Sequence, residues 1–588
     1  MVKYKIVEAD ENWFRENINC QYACPVNTPA SHYIERIQEE NYDGALVLNY
    51  MANIFPHILG RVCMHPCEDA CRRGKIDEPI SICSLKRAAA DYANDRFPKR
   101  VPVIKKTGKR IAIIGAGPAG LAAAYDLAMM GHSVTIFEAT PVLGGMLRLG
   151  IPEYRLPRRT IELEVEKIMR LGIEVRLSQR LGRDFNLDDL TNEGFKAIFI
   201  AIGAHKSVNI GLSGQEHDDV FGGIDFLLNV NLGHDVKLGK KVIVVGGGNV
   251  ALDVARTALR VPQKSEEGGT EADATRKSTG QGVREIHVIC LESRKEMPAS
   301  EVEIVEAEKE GLILHPSRGP KRIVEENGKV VGLETLDVES VFDSSGRFNP
   351  SFFEGSESTI SSDSVILAVG QTTDVSWLEG HPDIELTRRR TIKVDSETLA
   401  TTRPGVFAGG DIAHGPKNAI EAIASGRKAA RAIDQFVNVS KERKYDYFFM
   451  EKLPVRKTLD YDAIPRQEQD EIPMEKRWGF KEEIELGFSR QIALEEAERC
   501  LRCHFNIFID QKCVLCGGCI DICPHDCIMM VSRDKVESEG MFEGSMPDDW
   551  DAVMAINEEK CIRCGLCVKR CPVSAIKMQG FSYTEAIS

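Results

Sequence analysis

Near the end of the chain, Cys513, Cys516, Cys519 and Cys523 precede Pro524 in the spacing C-x2-C-x2-C-x3-C-P, and Cys561, Cys564, Cys567 and Cys571 repeat it before Pro572. Thiolates at this spacing hold cubane iron–sulfur clusters, three ligating one cluster while the fourth reaches across to the other. Crossed ligation predicts one 4Fe-4S cluster on Cys513, Cys516, Cys519 and Cys571, and a second on Cys561, Cys564, Cys567 and Cys523. Structural zinc also accepts four thiolates, but its cysteines come as C-x2-C pairs and not as a three-cysteine run ending in Cys-Pro.

Two glycine clusters carry a different chemistry. GAGPAG places Gly115, Gly117 and Gly120 at the GxGxxG positions after the strand IAIIG. The first glycine permits a tight turn, the second lets the backbone approach a pyrophosphate, and the third allows close helix packing. Glu138 ends the next strand, 23 residues beyond Gly115, where a carboxylate accepts from a ribose hydroxyl. In the second cluster, GGGNVA, Gly246, Gly248, Asn249 and Ala251 form a GxGxxA variant after KVIVV. Glu292 lies 46 residues beyond Gly246, or 24 once the 22 residues 262–283 are set aside as a polar surface insertion. At the end of EIHVICLE, its carboxylate would accept from the 2′-hydroxyl of NAD and repel the 2′-phosphate of NADP.

Both glycine clusters need a strand, a turn and a helix to position them, so the middle of the chain reads as two Rossmann-like units. The whole reads as a multidomain α/β and α+β protein. With 588 residues, the chain is far too long for a single small module. Its net charge of −14 argues against sequence-independent binding to nucleic acid or an anionic membrane. The first fifteen residues are charged where a signal peptide is apolar, and no apolar run is long enough to span a bilayer, so a cytoplasmic protein is expected. In a reducing compartment its 18 cysteines are metal ligands or redox groups and not disulfides.

Further motifs carry a family resemblance: GGMLRLGIPEYRLP from Gly144, with Gly145 in its opening pair, AIGAHKS from Ala201, AVGQ from Ala368, and TTRPGVFAGGDI with Asp411 in its GGD turn. The chain resembles the small, flavin-bearing subunit of glutamate synthase, the amino-terminal half of dihydropyrimidine dehydrogenase, and the larger flavin subunit of NADH-dependent ferredoxin:NADP oxidoreductase. The resemblance implies FAD at the first glycine turn, with Asp411 against its ribityl or pyrophosphate portion, and NAD(P)H at the second. It further implies an amino-terminal helical domain with two 4Fe-4S clusters. NADPH-using relatives carry paired arginines where this chain has Leu291 and Glu292, which favours NADH here; Arg294 and Lys295 stand close enough to serve a phosphate instead.

That helical domain normally has a C-x2-C pair just before the position of Cys20, and this chain lacks it. EEAERCLRC supplies Cys500 and Cys503 instead. A relocated pair would complete one cluster with Cys20 and Cys71, leaving Cys24, Cys63, Cys67 and Cys83 for another; the rival reading leaves Cys500 and Cys503 unligated and one amino-terminal cluster absent. Cys290 is then a buried small side chain and Cys527 a bystander. The expected domains are 1–105 (helical iron–sulfur), 106–238 and 363–440 (FAD), 239–362 (NAD(P)H), 441–504 (a connector carrying the cysteine pair) and 505–588 (two-cluster ferredoxin-like). The expected activity is electron transfer between NAD(P)H and ferredoxin or a catalytic partner subunit, in a hetero-oligomer, through FAD and four 4Fe-4S clusters. The alternatives are delivery of electrons to a glutamate-forming partner, or an inert zinc-filled scaffold. Hydride transfer needs no catalytic acid or base, and none is nominated.

Overall fold

The computed structural model describes residues 4–5, 11–94, 105–261, 284–438, 443–452, 463–510, 512–537, 551–558 and 560–587. The polar insertion expected at 262–283 lies outside them. So does most of the acidic stretch 538–552, between the two carboxyl-terminal cysteine motifs, which the sequence reads as a loop. The chain forms two compact units, residues 1–100, 438–470 and 487–588 in one, and 101–437 with 471–486 in the other. No described helix is long and apolar enough to cross a membrane.

The central unit contains two five-stranded sheets. The first is parallel throughout, in the order Val406–Ala408, Ala197–Ile200, Arg110–Ile114, Ser133–Phe137 and Glu174–Arg176. The second is also parallel: Ile313–His315, Glu285–Ile289, Lys241–Val245, Ser364–Leu367 and Val220–Gly222. The central strands are buried on both faces, which is why IAII and KVIVV read as continuous apolar runs. A further sheet of antiparallel strands, from Arg318–Glu326 to Ser358–Ser361, is inserted in sequence between the strands Ile313–His315 and Ser364–Leu367 of the second parallel sheet.

Two domain boundaries move. Val220–Gly222 and Ser364–Leu367, expected in the two FAD segments, pair within the second sheet. The chain crosses between the nucleotide-binding subdomains earlier, and returns later, than the glycine motifs alone indicate.

The other unit joins the two ends of the chain. Helices Ala30–Gln38, Tyr42–Ala52, Pro56–Val62 and Ile82–Tyr92 make a small bundle. Helix Arg490–Glu498 belongs to it, because Phe488, Ala493, Ala497 and Cys500 are buried in one apolar cluster with Tyr33, Ile34, Leu85 and Ala89. The ferredoxin-like region contributes strand Phe505–Ile509 to an antiparallel sheet with Ile576–Ile587 and Arg443–Lys452. The expected connector 441–504 is divided between the two units. It holds a strand and a helix of this unit, while residues 471–486 belong to the central unit.

Candidate functional site

At the first glycine turn, strand Arg110–Ile114 runs into Gly115, whose φ is +105° and where a Cβ would stand 2.4 Å from Ala201 O. A Cβ on Gly120 would meet Gly115 O at 1.9 Å. Backbone proximity alone thus demands glycine at both positions. The nearest atom to a Cβ on Gly117 is Gly145 Cα, at 3.9 Å, and Gly145 itself has φ +52°. Those two residues leave a backbone-walled cradle at the start of helix Pro118–Met129, the shape a pyrophosphate fills.

Glu138 is anchored beside this turn. Its Oε2 accepts from Ala116 N at 2.8 Å, and its Oε1 from Thr140 N at 2.8 Å and Thr140 Oγ1 at 2.9 Å. His205, which the sequence reading does not single out, lies within the field of this carboxylate. Burial lowers its pKa even so. Asp411 opens the short helix Asp411–His414, and burial pushes its carboxyl up to about 6 against the pull of the Lys417 amide, which donates to Oδ1 at 3.1 Å. Helix Ala419–Asn438 clamps this region onto the dinucleotide helix: a Cβ on Gly426 would lie 2.1 Å from Ala119 O.

The second turn repeats the first. Gly246 has φ +144°, and a Cβ there would stand 2.4 Å from Ala368 O. A Cβ on Gly248 would meet nothing within 4 Å, which leaves the start of helix Asn249–Ala258 open to a ligand. Asn249 Oδ1 accepts from Ser300 N at 2.9 Å and ties down the Met297-Pro298 loop. Glu292 reaches the turn, with Oε2 2.8 Å from where a Cβ on Gly247 would stand. Arg294 is held by Glu301 at 2.9 and 3.0 Å and by Glu308 at 3.1 Å. Beneath the turn, Arg155 grips Asp253 through both carboxylate oxygens at 2.8 Å, joining the loop after Gly145 to helix Asn249–Ala258. Burial raises Asp253 to about 6.

In the other unit, Cys513, Cys516, Cys519 and Cys571 line one cavity, and Cys561, Cys564, Cys567 and Cys523 line a second. Cys527 lines the second as well, its Sγ 3.2 Å from that of Cys523. Its hydrogen bond and Arg563 help hold Cys561 low, at about 5. A third cavity is lined by Cys20, Cys71, Cys500 and Cys503. Around the buried Lys86, burial would lower the ammonium's pKa, but the neighbouring Cys63, Cys83, Cys67 and Cys24 outweigh it and raise it. The structure therefore lines three cavities with four each of the expected ligands and sets Cys24, Cys63, Cys67 and Cys83 within the field of Lys86, whereas Cys290 is buried beside Glu292.

Local backbone geometry marks these turns as alike. Leu515, Arg563 and Arg502, each the third residue of a C-x-x-C turn, have φ of +50°, +56° and +54°. Such a conformation is costly for a residue with a Cβ. It turns an N–H back onto the first thiol of each turn: Leu515 onto Cys513, Arg563 onto Cys561, and Arg502 onto Cys500 at 3.5 Å. His65, at φ +37°, does the same to Cys63 at 3.4 Å. Amide donors aimed at sulfur stabilise a charged thiolate, so the donor sets suit iron–sulfur clusters. The shared turn shape is not visible in a cysteine count.

The pyridine nucleotide-disulphide oxidoreductase family model matches residues 109–426. Models described as dihydropyrimidine dehydrogenase domain II, 4Fe-4S cluster, and as 4Fe-4S dicluster domain match residues 4–97 and 512–575. The chain is similar to the beta subunit of the NADP(+)-dependent formate dehydrogenase of Moorella thermoacetica, 40% identical over 522 residues, covering 82% of this chain and 70% of the relative. It is 36% identical to the beta subunit of the NADPH-Fe(3+) oxidoreductase of Geobacter sulfurreducens, covering 82% and 75%. It is 32% identical to the glutamate synthase [NADPH] small chain of Escherichia coli, covering 72% and 89%. The chain belongs to the pyridine nucleotide-disulphide oxidoreductase family, and is an FAD-type oxidoreductase with 4Fe-4S domains at both ends.

Proposed function

We propose that this chain is the electron-input subunit of a larger redox enzyme, taking electrons from NAD(P)H and passing them singly to ferredoxin or a catalytic partner subunit. The reading is carried by one observation above the rest: in one unit three cavities are lined by four expected cysteine ligands each and four more cysteines surround Lys86, while the other unit carries two dinucleotide-type glycine turns. A nicotinamide gives up two electrons as a hydride and an iron–sulfur cluster accepts one, so a flavin that handles either supplies the conversion when bound. Around it, the Gly115–Gly120 turn and Gly145 would seat the pyrophosphate, Glu138 the ribose, and Asp411 the ribityl side. Gly246, Gly248 and Asn249 would position the nicotinamide nucleotide. The four cysteine groups would hold four 4Fe-4S clusters: Cys20/Cys71/Cys500/Cys503, Cys24/Cys63/Cys67/Cys83, Cys513/Cys516/Cys519/Cys571 and Cys523/Cys561/Cys564/Cys567. The relatives named as beta subunits and as a small chain support an assembly with partner subunits.

For the coenzyme, the carboxylate of Glu292 at the second turn and the engagement of Arg294 by Glu301 and Glu308 support NADH. The relatives named for NADP(+) or NADPH support the second reading, in which Arg294 leaves its carboxylates for the 2′-phosphate. Anaerobic titration of the full chain with each nucleotide tests both. The proposal expects bleaching of flavin and iron–sulfur absorbance together, at lower concentration with NADH. Flavin reduction that leaves the iron–sulfur absorbance unchanged would overturn the electron-input reading, and saturation at lower NADPH would select the second coenzyme reading.

A further inference from the structure

Cys500-Leu501-Arg502-Cys503 and Cys561-Ile562-Arg563-Cys564 are the same turn written twice, from sequence positions sixty-one apart. Each has an apolar second residue and a buried arginine at positive φ, +54° for Arg502 and +56° for Arg563. The two turns meet. Leu501 and Ile562, each 5% exposed, form one apolar cluster, and Cys503 and Cys564 both pack against it. Leu501 also lines the cavity of Cys20, Cys71, Cys500 and Cys503, and Ile562 lines that of Cys523, Cys561, Cys564 and Cys567. A single layer of two apolar side chains thus separates a cavity at the amino-terminal bundle from one in the ferredoxin-like region.

A cation spans the same layer. Arg72 is 8% exposed, its Nη1 lies 4.0 Å from Cys503 Sγ, and its Nη2 donates to the Glu558 carbonyl. Arg563 donates to the same carbonyl at 3.0 Å, to the Glu558 carboxylate at 2.7 Å, and to the Cys561 carbonyl. One guanidinium therefore faces a thiol of the first site while bonding to the chain segment that leads into the second. The groups facing it are Arg563, Cys503, Glu558 and Cys561.

Taking the cysteine groups as the ligand sets proposed above, we propose that these paired turns are the junction that couples the two sites, and that Arg72 is its positioning residue. A buried cation beside a thiolate favours the more negative charge state of whatever that thiolate ligates, which raises its reduction potential. Because Leu501, Ile562 and the two guanidiniums are all buried, water screens little of the charge that one site presents to the other. The other ferredoxin-like site, of Cys513, Cys516, Cys519 and Cys571, does not share this layer and serves as an internal control.

The test is a potentiometric titration of the anaerobically purified full chain followed by electron paramagnetic resonance. The signal lost in the Cys500→Ser/Cys503→Ser double variant identifies the site at Cys503. In the fully reduced wild-type protein this signal should be broadened by magnetic interaction with a neighbouring centre. In Arg72→Gln its midpoint should move to a more negative value while the Cys513 site holds its own, and Arg72→Lys should restore most of the shift. An unbroadened wild-type signal would overturn the junction, and needs no variant to fold. An unmoved midpoint in an iron-replete Arg72→Gln protein would overturn the role of Arg72. Full iron in the double variant would instead overturn the ligand assignment on which the junction rests.

Discussion

In the central unit each proposed nucleotide site is made by backbone within a few residues of one glycine turn, closed by the carbonyl just after one neighbouring strand: Ala201 for Gly115 and Ala368 for Gly246, each 2.4 Å from a would-be Cβ. In the other unit the sites are made of side chains from distant stretches of chain, and Cys20 meets Cys503 only because helix Arg490–Glu498 completes the core of the amino-terminal bundle. The difference has a mechanical consequence. A glycine turn is fixed chiefly by the sterics of its own residues, whereas a thiol site inherits the stability of the tertiary contacts that close it.

The most severe way to break the second kind of site is to remove the relocated pair. Cys500→Ser/Cys503→Ser should cost one cluster, about a quarter of the iron and acid-labile sulfide in a four-cluster protein, with flavin content unchanged. Metal and sulfide analysis normalised to flavin reads it directly.

Next in size is the anchor of that helix. Arg499 is wholly buried and donates to Glu496 at 2.8 Å, Asp77 at 3.2 Å, the Glu78 carbonyl at 2.8 Å and the Ile464 carbonyl at 3.1 Å. Arg499→Ala leaves the buried Glu496 carboxylate without its cation and should destabilise this unit by about 3–5 kcal/mol. Denaturant unfolding followed at the iron–sulfur chromophore should shift, while the flavin transition should not.

The central unit offers a contrasting test through pH. The Asp411 carboxyl is raised by burial from 3.8 to about 6. The fold then holds a proton that the unfolded chain releases, so Asp411 favours the folded apoprotein fully below the unfolded value, and this contribution disappears as the pH rises through about 6. Asp411→Asn should therefore stabilise the apoprotein at pH 7 relative to wild type, by about 1–3 kcal/mol, with the difference vanishing towards pH 4. Unfolding curves at the two pH values check it.

A sharper and smaller probe is Glu292→Ala. It should raise the preference for NADPH over NADH by about tenfold, or ~1.4 kcal/mol, read as the ratio of kcat/KM values. Smallest of all, Cys527→Ala should keep the full iron load and lose about 1 kcal/mol or less, because its thiol is a hydrogen-bonded neighbour and not a proposed ligand.

The same contrast explains what could be read from the chain before its structure. Both glycine turns, their strands and Glu138 were legible because strand, turn and acidic residue fall within a few tens of positions and obey one steric rule. The ferredoxin spacing was legible for the same reason. The positions of Val220–Gly222 and Ser364–Leu367 in the second sheet were not, since short buried strands carry no periodicity that names their partner sheet. The strand Arg443–Lys452 was hidden by its charged ends, and its pairing with Ile576–Ile587 is a long-range choice. The left-handed turn shared by Arg502, Leu515 and Arg563 was also hidden, because neither arginine nor leucine advertises positive φ.

The most direct measurement is iron and acid-labile sulfide per flavin in the full chain purified and reconstituted without oxygen. Four thiol groups each holding a 4Fe-4S cluster predict about sixteen of each per FAD. Zinc in their place would contradict the iron–sulfur assignment, and iron and sulfide matching only the two ferredoxin-like clusters would contradict the claim that cysteines from both ends of the chain converge on a shared metal site.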